Sequence, residues 1–268
     1  MKIIHILAYG ILFTGILVIF LPEIVSLISS GSLIGGATTQ LGDAFAVAGN
    51  EDLACICYDT SLGATPGNSE ILMKKGDVLY KSGKPLEALS TYTQGIDRNP
   101  DNVVAMKKKA DLLKSLGRGT EATDAFSKIT TMVPKNSDEQ MIVASAGIES
   151  GKYNTALDQI DIMLKANPKN PDLWEMRGDA LLDYSQTDTT LKQNLREVTG
   201  GTEGHMKDPA VKEILAKSST ITEGVQSYRN AMMLDPMRTP TISTKIFEKT
   251  KGLGVIADSQ DVMSELEQ

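Results

Sequence analysis

Residues Ser69 to Asn102 read SEILMKKGDVLYKSGKPLEALSTYTQGIDRNPDN. Pro100 lies near the end of this stretch, and Pro134, Pro168 and Pro236 follow it at one, two and four steps of 34 residues. A fixed period of that length indicates a stack of helix–turn–helix units, each too small to bury its own apolar face. The sequence therefore predicts an all-α repeat domain.

Each unit carries small residues at fixed places when the proline is numbered position 32. The shared positions are a small residue at 8 (Gly76, Ala110, Ala144, Gly178), glycine at 15 (Gly83, Gly117, Gly151), alanine at 20 (Ala88, Ala122, Ala156) and a large residue at 24 (Tyr92, Phe126, Ile160, and Tyr228 before the last proline). Small residues at 8 and 20 let helix A and helix B of one unit cross closely. The glycine can end helix A, and the proline cannot continue helix B.

On these positions the units 69–102, 103–136 and 137–170 resemble the tetratricopeptide repeat. The resemblance implies a right-handed α–α superhelical solenoid of about 4–5 units over residues 69–238. Two departures are Lys75 and Lys109, which stand where the family usually has leucine.

The segment 171–238 contains one period more than a single unit needs. One interpretation is an insertion of residues 185–218 within one unit. The other is a pair of degenerate repeats, in which residues 191–198 form a helix B and residues 209–217 a helix A that have lost most of the repeat's characteristic residues. The preserved spacing favours the second interpretation. Residues 239–268 are expected to form a capping helix with a polar outer face, because an open stack end would expose core.

The first 28 residues differ in composition from the repeats. Ile3 to Leu21 is a run of 19 residues without a formally charged side chain. At about 1.5 Å per residue such a helix nearly spans a hydrocarbon core. We expect residues 1–28 to be an uncleaved transmembrane anchor, with a cleaved signal segment or a buried hydrophobic helix as alternatives. Lys2 precedes the run and Lys74 is the next lysine or arginine, which predicts a single-pass membrane protein with an extracytoplasmic repeat domain.

Residues 29–68 are rich in Gly, Ala, Ser and Thr and contain no lysine or arginine. This composition predicts a tether between the membrane and the repeats. The segment holds Cys55 and Cys57, which we interpret as ordinary linker residues. A strained disulfide and metal or lipid attachment are the alternatives.

The sequence shows no constellation typical of catalysis. The net charge of -7 gives no electrostatic footprint for nucleic acid. His5 and His205 have no sequence partners that suggest a triad or a metal site. The Gly-rich stretches 31–39 and 199–205 do not precede a Lys-Ser/Thr pair, as a phosphate loop would. We therefore expect no enzymatic activity, no cofactor and no metal.

The resemblance implies that helix A of each unit lines a concave groove, through positions 5, 9 and 12 among others. The candidate partner-binding residues at these positions are Met73, Asp77, Tyr80, Lys107, Asp111, Lys114, Met141, Ile148, Glu175, Asp179 and Leu182. A row of aspartates among apolar side chains left facing water suits a protein segment with basic and apolar residues.

These observations predict a membrane-anchored scaffold or adaptor that binds a protein partner through helix A, within a cell-envelope assembly. The competing hypothesis is a structural subunit of an oligomer or filament, assembled through the apolar amino-terminal helix. A secreted adaptor, released after signal cleavage, is the third.

Overall fold

The structure is a computed structural model, and it describes residues 32–205 and 208–256. These residues are helical apart from turns and two strands of two residues each, in agreement with the all-α prediction. The helices are α1 (Ser32–Val47), α2 (Glu51–Ala64), α3 (Ser69–Lys81), α4 (Pro85–Arg98), α5 (Val103–Ser115), α6 (Gly119–Ile129), α7 (Ser137–Glu149), α8 (Tyr153–Ala166), α9 (Pro171–Ser185), α10 (Thr189–Val198), α11 (Pro209–Lys217), α12 (Ser219–Leu234) and α13 (Thr239–Lys251). The strands are β1 (Gly204–His205) and β2 (Val255–Ile256).

An asparagine column explains where helix A of each repeat begins. Asn68, Asn102, Asn136 and Asn170 lie 34 residues apart, and each side chain accepts a hydrogen bond from a backbone N–H in the first turn of the next helix. Such a cap satisfies donors that the helix itself leaves unpaired. The glycines at position 15 end helix A, and Gly83, for example, has φ +72°, a backbone conformation that favours glycine.

Contacts divide the chain into two compact units, residues 1–118 and 119–268. The first unit contains α1 to α5 and the second contains α6 to α13. The boundary lies inside the repeat 103–136, between its helix A and its helix B.

In the first unit, the predicted tether is wrong for residues 32–64, which form the hairpin of α1 and α2. This hairpin is itself a repeat in the same register, with Gly42 at position 8, Gly49 at 15, Ala54 at 20, Tyr58 at 24 and Pro66 at 32. Position 8 is again a close crossing, because a Cβ added to Gly42 would lie 2.8 Å from the ring of Tyr58. The small residues that suggested flexibility therefore serve close helix packing.

In the second unit, α9 pairs with α12, so the favoured interpretation of two degenerate repeats is wrong. A Cβ on Gly178 of α9 would lie 2.8 Å from the ring of Tyr228 on α12, and one on Gly224 of α12 would lie 3.0 Å from Leu182. These are the helix A and helix B contacts of one repeat. Residues 186–218, with α10 and α11, are an insertion, and their buried residues Leu191, Leu195, Val211 and Leu215 join the core cluster that contains Tyr228.

The capping helix exists but is shorter than the predicted range 239–268. Helix α13 ends at Lys251, and Val255–Ile256 then pairs in parallel with Gly204–His205 of the insertion. Ile242 and Ile246 of α13 are fully buried. The opposite side of the helix exposes Thr241, Thr244, Glu248 and Lys251, which is the polar outer face expected of a cap. Residues 257–268 lie outside the described residues.

The predicted membrane segment, residues 1–28, also lies outside the described residues. Among the helices of residues 32–205 and 208–256, none combines the length and the apolar character that a bilayer crossing requires.

Because of the close crossing at position 8, replacing two helical glycines by alanine should change the free energy of unfolding in opposite directions. Gly76→Ala would place a methyl group into the ring of Tyr92, and we expect a loss of about 1–3 kcal/mol in the free energy of unfolding. In Gly63→Ala, in α2, the added methyl group meets no atom within 4 Å. This substitution should stabilise the protein by about 0.4–1 kcal/mol, because alanine lowers the conformational entropy of the unfolded chain. Urea denaturation of both variants measures this. Equal shifts in the same direction would contradict the packing.

Candidate functional site

Asp77, the first acidic residue predicted for the groove, connects three helices. Its carboxylate on α3 accepts a hydrogen bond of 2.7 Å from the hydroxyl of Tyr92 on α4. It also accepts hydrogen bonds of 2.6 and 2.5 Å from Nζ of Lys108 on α5. The charge of Asp77 is therefore balanced within the fold by a lysine of the next repeat.

The same arrangement occurs in two further repeats, and we call it the Asp–Tyr–Lys bridge. In the first repeat Asp43 accepts from Tyr58 at 2.8 Å and from Lys74 at 2.8 Å. In the second unit Asp179 accepts from Tyr228 at 2.7 Å and from Lys245 at 2.8 Å. In each case the aspartate is on helix A, the tyrosine on helix B of the same repeat, and the lysine on the following helix A or cap. The bridge joins successive layers of each unit.

The bridges raise the pKa values of their tyrosines, and the bridge of the first repeat also lowers the pKa of its aspartate. Burial opposes the charge of Asp43, yet the hydrogen bonds from Lys74 and Tyr58 hold its pKa below the usual value. Burial and then the hydrogen bond to Asp77 raise the pKa of Tyr92 well above its usual value. The hydrogen bond to Asp43 raises the pKa of Lys74 against the effect of burial. The bridge of the first repeat thus contains an anion, a neutral donor and a cation.

Glu175, another predicted groove residue, lies in an ionic cluster at the cap of the second unit. Its side chain is only 15% exposed and contacts Nζ of Lys245 at 2.7 Å and the guanidinium of Arg238 at 2.9 Å. Burial raises its pKa, but the hydrogen bonds from Lys245 and Arg238 outweigh this and hold the pKa below its usual value. This carboxylate holds α13 and the preceding turn against α9.

The predicted apolar groove residues divide between core and surface. Met73 and Leu182 are 8% and 1% exposed, so the expectation that they face water is wrong. A Cβ on Gly95 of α4 would lie 3.2 Å from Sδ of Met73, which places this side chain between α3 and α4. Met141 and Ile148 are half-buried against the cluster of Ala144 and its neighbours. Tyr80 is 49% exposed.

Three predicted residues on α5 remain at the surface of the first unit. Lys107 and Asp111 form an ion pair of 2.6 Å one turn apart, and their side chains are 35% and 49% exposed. Lys114 is exposed on the same helix. Asp111 has no tyrosine at position 24 of its repeat, because Phe126 stands there. The structure therefore leaves Tyr80, Lys107, Asp111 and Lys114 on adjacent A helices as the candidate contact surface.

The cysteines and the acidic clusters show no metal-site geometry. Cys55 and Cys57 are free thiols on α2, and residues two apart on a helix do not face each other. Burial raises the pKa of Cys55, which disfavours its thiolate. Within residues 32–205 and 208–256, no group of three or more His, Cys, Asp or Glu side chains could hold a metal ion.

Comparison with protein families bears on the repeats directly. Residues 73–137 match the sequence model of the tetratricopeptide repeat. The match begins in α3, includes Tyr80 and all of α5, and ends at the start of α7. The hairpin of α1 and α2, which precedes this match, has the same close crossing at position 8, between Gly42 and Tyr58.

Solved structures similar to this chain include three with low sequence identity. A crystal structure of MamA has 16% identity and a TM-score of 0.48, and the match covers 76% of this chain and 93% of the MamA chain. YrrB, titled a TPR protein with an unusual peptide-binding site, has 12% identity and a TM-score of 0.45, covering 74% and 85%. PilF of Pseudomonas aeruginosa has 15% identity and a TM-score of 0.44, covering 76% and 98%. Comparison with curated proteins found no significant match.

The Asp–Tyr–Lys bridge predicts unequal effects for two tyrosines of the first unit. Tyr92→Phe removes the donor to Asp77 and should cost about 1–2 kcal/mol in the free energy of unfolding. Tyr80→Phe, at a half-exposed ring, should change it by less than about 0.5 kcal/mol. Urea denaturation measures both, and an effect of Tyr80→Phe equal to that of Tyr92→Phe would count against the bridge.

The ionic cluster predicts a shift in acid stability. Because folding lowers the pKa of Glu175, its contribution is present above the unfolded pKa and is lost as pH falls through the folded pKa. Lys245→Gln removes the first hydrogen bond that lowers this pKa, so the loss should begin at a higher pH, in the range of about pH 3–5. Circular dichroism against pH measures this, with Lys128→Gln, at an exposed lysine, as control. Coincident acid curves for the two variants would contradict the assignment.

Proposed function

We propose that the protein is a binding adaptor that holds a segment of a partner protein against the A helices of its first unit. The observation that carries the proposal is Tyr80, whose ring is 49% exposed on α3 while the neighbouring Asp77 is occupied by Tyr92 and Lys108. Aromatic side chains held on a rigid helix are typical anchors of protein interfaces.

The following helix A, α5, carries charged side chains at the corresponding repeat positions. Lys107, Asp111 and Lys114 provide both signs, and Asp111 is 49% exposed beside Lys107. An exposed pair of this kind contributes little to stability, so a partner's basic side chain can compete for Asp111 at small cost. We therefore propose a ligand segment with one apolar anchor for Tyr80 and one basic residue for Asp111. Apolar contact supplies most of the affinity, and charge sets register and association rate.

Asp77 and Asp179 do not contribute to this recognition. Their carboxylates are held in bridges with Lys108 and Lys245, so a partner would have to break those ion pairs to reach them. Removing a lysine from a partly buried pair leaves a charge without compensation. The ligand's charge preference therefore comes from α5.

Attachment to a membrane through residues 3–28 and a place in a cell-envelope assembly are further parts of the proposal. They are supported by the uncharged run Ile3 to Leu21 and by the position of Lys2. The proposal includes no catalytic step, because Tyr80 and the charged residues of α5 offer contact and ion pairing.

Photocrosslinking at Tyr80 tests the proposed surface. Benzoylphenylalanine at position 80 should give a discrete adduct with one partner in native cells. The same residue at position 86, where Leu86 is 68% exposed on α4, should not give that adduct. Tyr80→Ala should weaken binding of the captured partner by roughly 30-fold, which corresponds to a hot spot of about 2 kcal/mol.

Two results would reject the surface. One is the same set of adducts at positions 80 and 86. The other is Tyr80→Ala binding the identified partner as tightly as the unchanged protein, measured by titration with the purified partner.

A further inference from the structure

Asp111 lacks the two donors that the bridged aspartates receive. In each Asp–Tyr–Lys bridge the tyrosine hydroxyl donates to Oδ1 of the aspartate, and the lysine donates to Oδ2. For Asp111, the repeat positions that supply these donors hold Phe126 and Ile142. Neither side chain can donate a hydrogen bond. Asp111 is therefore an aspartate at a bridge position without the bridge.

Lys107 takes one of the two carboxylate oxygens of Asp111. Its Nζ donates to Oδ2 at 2.6 Å, one turn away on α5. Within the part of the chain that the structure describes, no protein group donates to Oδ1. The side chain of Asp111 is 49% exposed, so a ligand can reach the carboxylate. One acceptor thus remains, at the atom that receives the tyrosine hydroxyl in the bridges.

The exposed ring of Tyr80 lies beside this acceptor. The ion pairs that join neighbouring A helices of the first unit connect residues 31 apart, as Asp77 and Lys108 are. Tyr80 and Asp111 are also 31 residues apart, so the same register places them side by side on α3 and α5. Packed helices are about 8–10 Å apart, and an extended chain advances about 3.3 Å per residue. A ligand can therefore contact both with residues about three positions apart.

We propose that a lysine of the partner segment completes the missing bridge at Asp111, and that Lys107 makes this site select lysine over arginine. The inference rests on the proposed function, whose contact surface it uses. The ligand lysine donates from Nζ to Oδ1 of Asp111, and its aliphatic stem lies along Tyr80, as long basic side chains commonly pack. The apolar anchor of the ligand occupies the rest of the exposed ring.

The selectivity follows from the number of oxygens that each cation uses. A guanidinium gains its advantage over an ammonium group by binding both oxygens of a carboxylate. At Asp111 that mode requires Lys107 to leave Oδ2, whereas a lysine needs only Oδ1. The second unit shows that one aspartate can hold two ammonium groups. Nζ of Lys245 lies 2.8 Å from Oδ2 of Asp179, and Nζ of Lys249 lies 3.7 Å from Oδ1.

The charge of α5 limits the ligand further. This helix carries four lysines and one aspartate, and like charges repel each other. A second basic residue beside the ligand lysine would be repelled by the lysines of α5. The partner segment therefore carries a single lysine near its apolar anchor and no basic neighbours.

Peptide titration of the full chain in mild detergent tests the selectivity. The probes are synthetic Gly/Ser peptides that carry one leucine and one lysine about two to four residues apart, in both orders, and matched peptides with arginine in place of lysine. Each peptide has a trifluoromethyl label, and fluorine NMR measures its dissociation constant. The unchanged protein should bind the best lysine peptide below about 1 mM and about 3-fold more tightly than its arginine match.

Lys107→Gln should reverse this order. The substitution frees Oδ2, so the arginine peptide can bind both oxygens and should become the tighter ligand by about 3-fold. Lys109→Gln is the matched control, because it removes the same charge from the same helix at a residue that faces elsewhere, and it should keep the preference for lysine. Asp111→Asn should abolish the preference and weaken binding of the lysine peptide by about 10-fold. Circular dichroism should show the same helical content in all variants.

Failure of this inference and failure of the proposed function give different results. A preference of the unchanged protein for arginine, equal affinity changes for both peptides in Lys107→Gln, or no binding of any peptide at about 1 mM would each overturn the lysine-selective site. In the first two cases, weaker binding by Tyr80→Ala would still support the proposed contact surface. Binding that Tyr80→Ala leaves unchanged would reject that surface as well.

Discussion

The close crossing of helix A and helix B at a glycine is the contact on which the described structure depends. At Gly42, Gly76 and Gly178, a tyrosine ring of helix B occupies the space that a side chain would fill. The crossing buries the ring and also brings its hydroxyl to the aspartate that follows the glycine by one residue. One small residue thus permits both the apolar packing and the polar bridge.

This coupling changes how the acidic residues should be understood. Aspartates at position 9 read from the sequence as a row of charges facing a partner. In the structure Asp77 and Asp179 are acceptors within the fold, and their lysines come from the following helix A and from the cap helix α13. What they contribute is the connection between layers. In the function that we propose, a ligand is therefore recognised by groups outside the bridges, namely Tyr80 and the exposed residues of α5.

The amino-terminal hairpin shows how composition can mislead. Gly, Ala, Ser and Thr in residues 29–68 suggested a tether, yet Gly42 and Ala54 are at the two small positions of a repeat. Ser61 is fully buried and donates a hydrogen bond to the carbonyl of Gly35. Pro66, one period before Pro100, already marked this repeat in the sequence. The exposed apolar side chains of residues 32–64 therefore belong to a folded element and not to a tether.

Much of the candidate site could also be predicted from the sequence, once position 9 is compared with position 24 and with position 6 of the next repeat. Asp at position 9, Tyr at position 24 and Lys at position 6 of the next repeat occur together around Asp43 and Asp77, while Asp111 is followed by Phe126 and Ile142. That co-occurrence predicts which aspartates are bridged. The burial of Met73 and Leu182 could not be read in this way, because their columns contain both polar and apolar residues.

The sequence by itself determined the period, the helical class and the positions of caps and breaks, because these follow from prolines, glycines and asparagines acting within a few residues of themselves. Only the tertiary structure decided that α9 pairs with α12 across an insertion. A spacing of one period is compatible with either pairing, and the choice depends on which helix presents a ring to Gly178. Tyr228 does so, at a distance of 50 residues, through packing that no local pattern records.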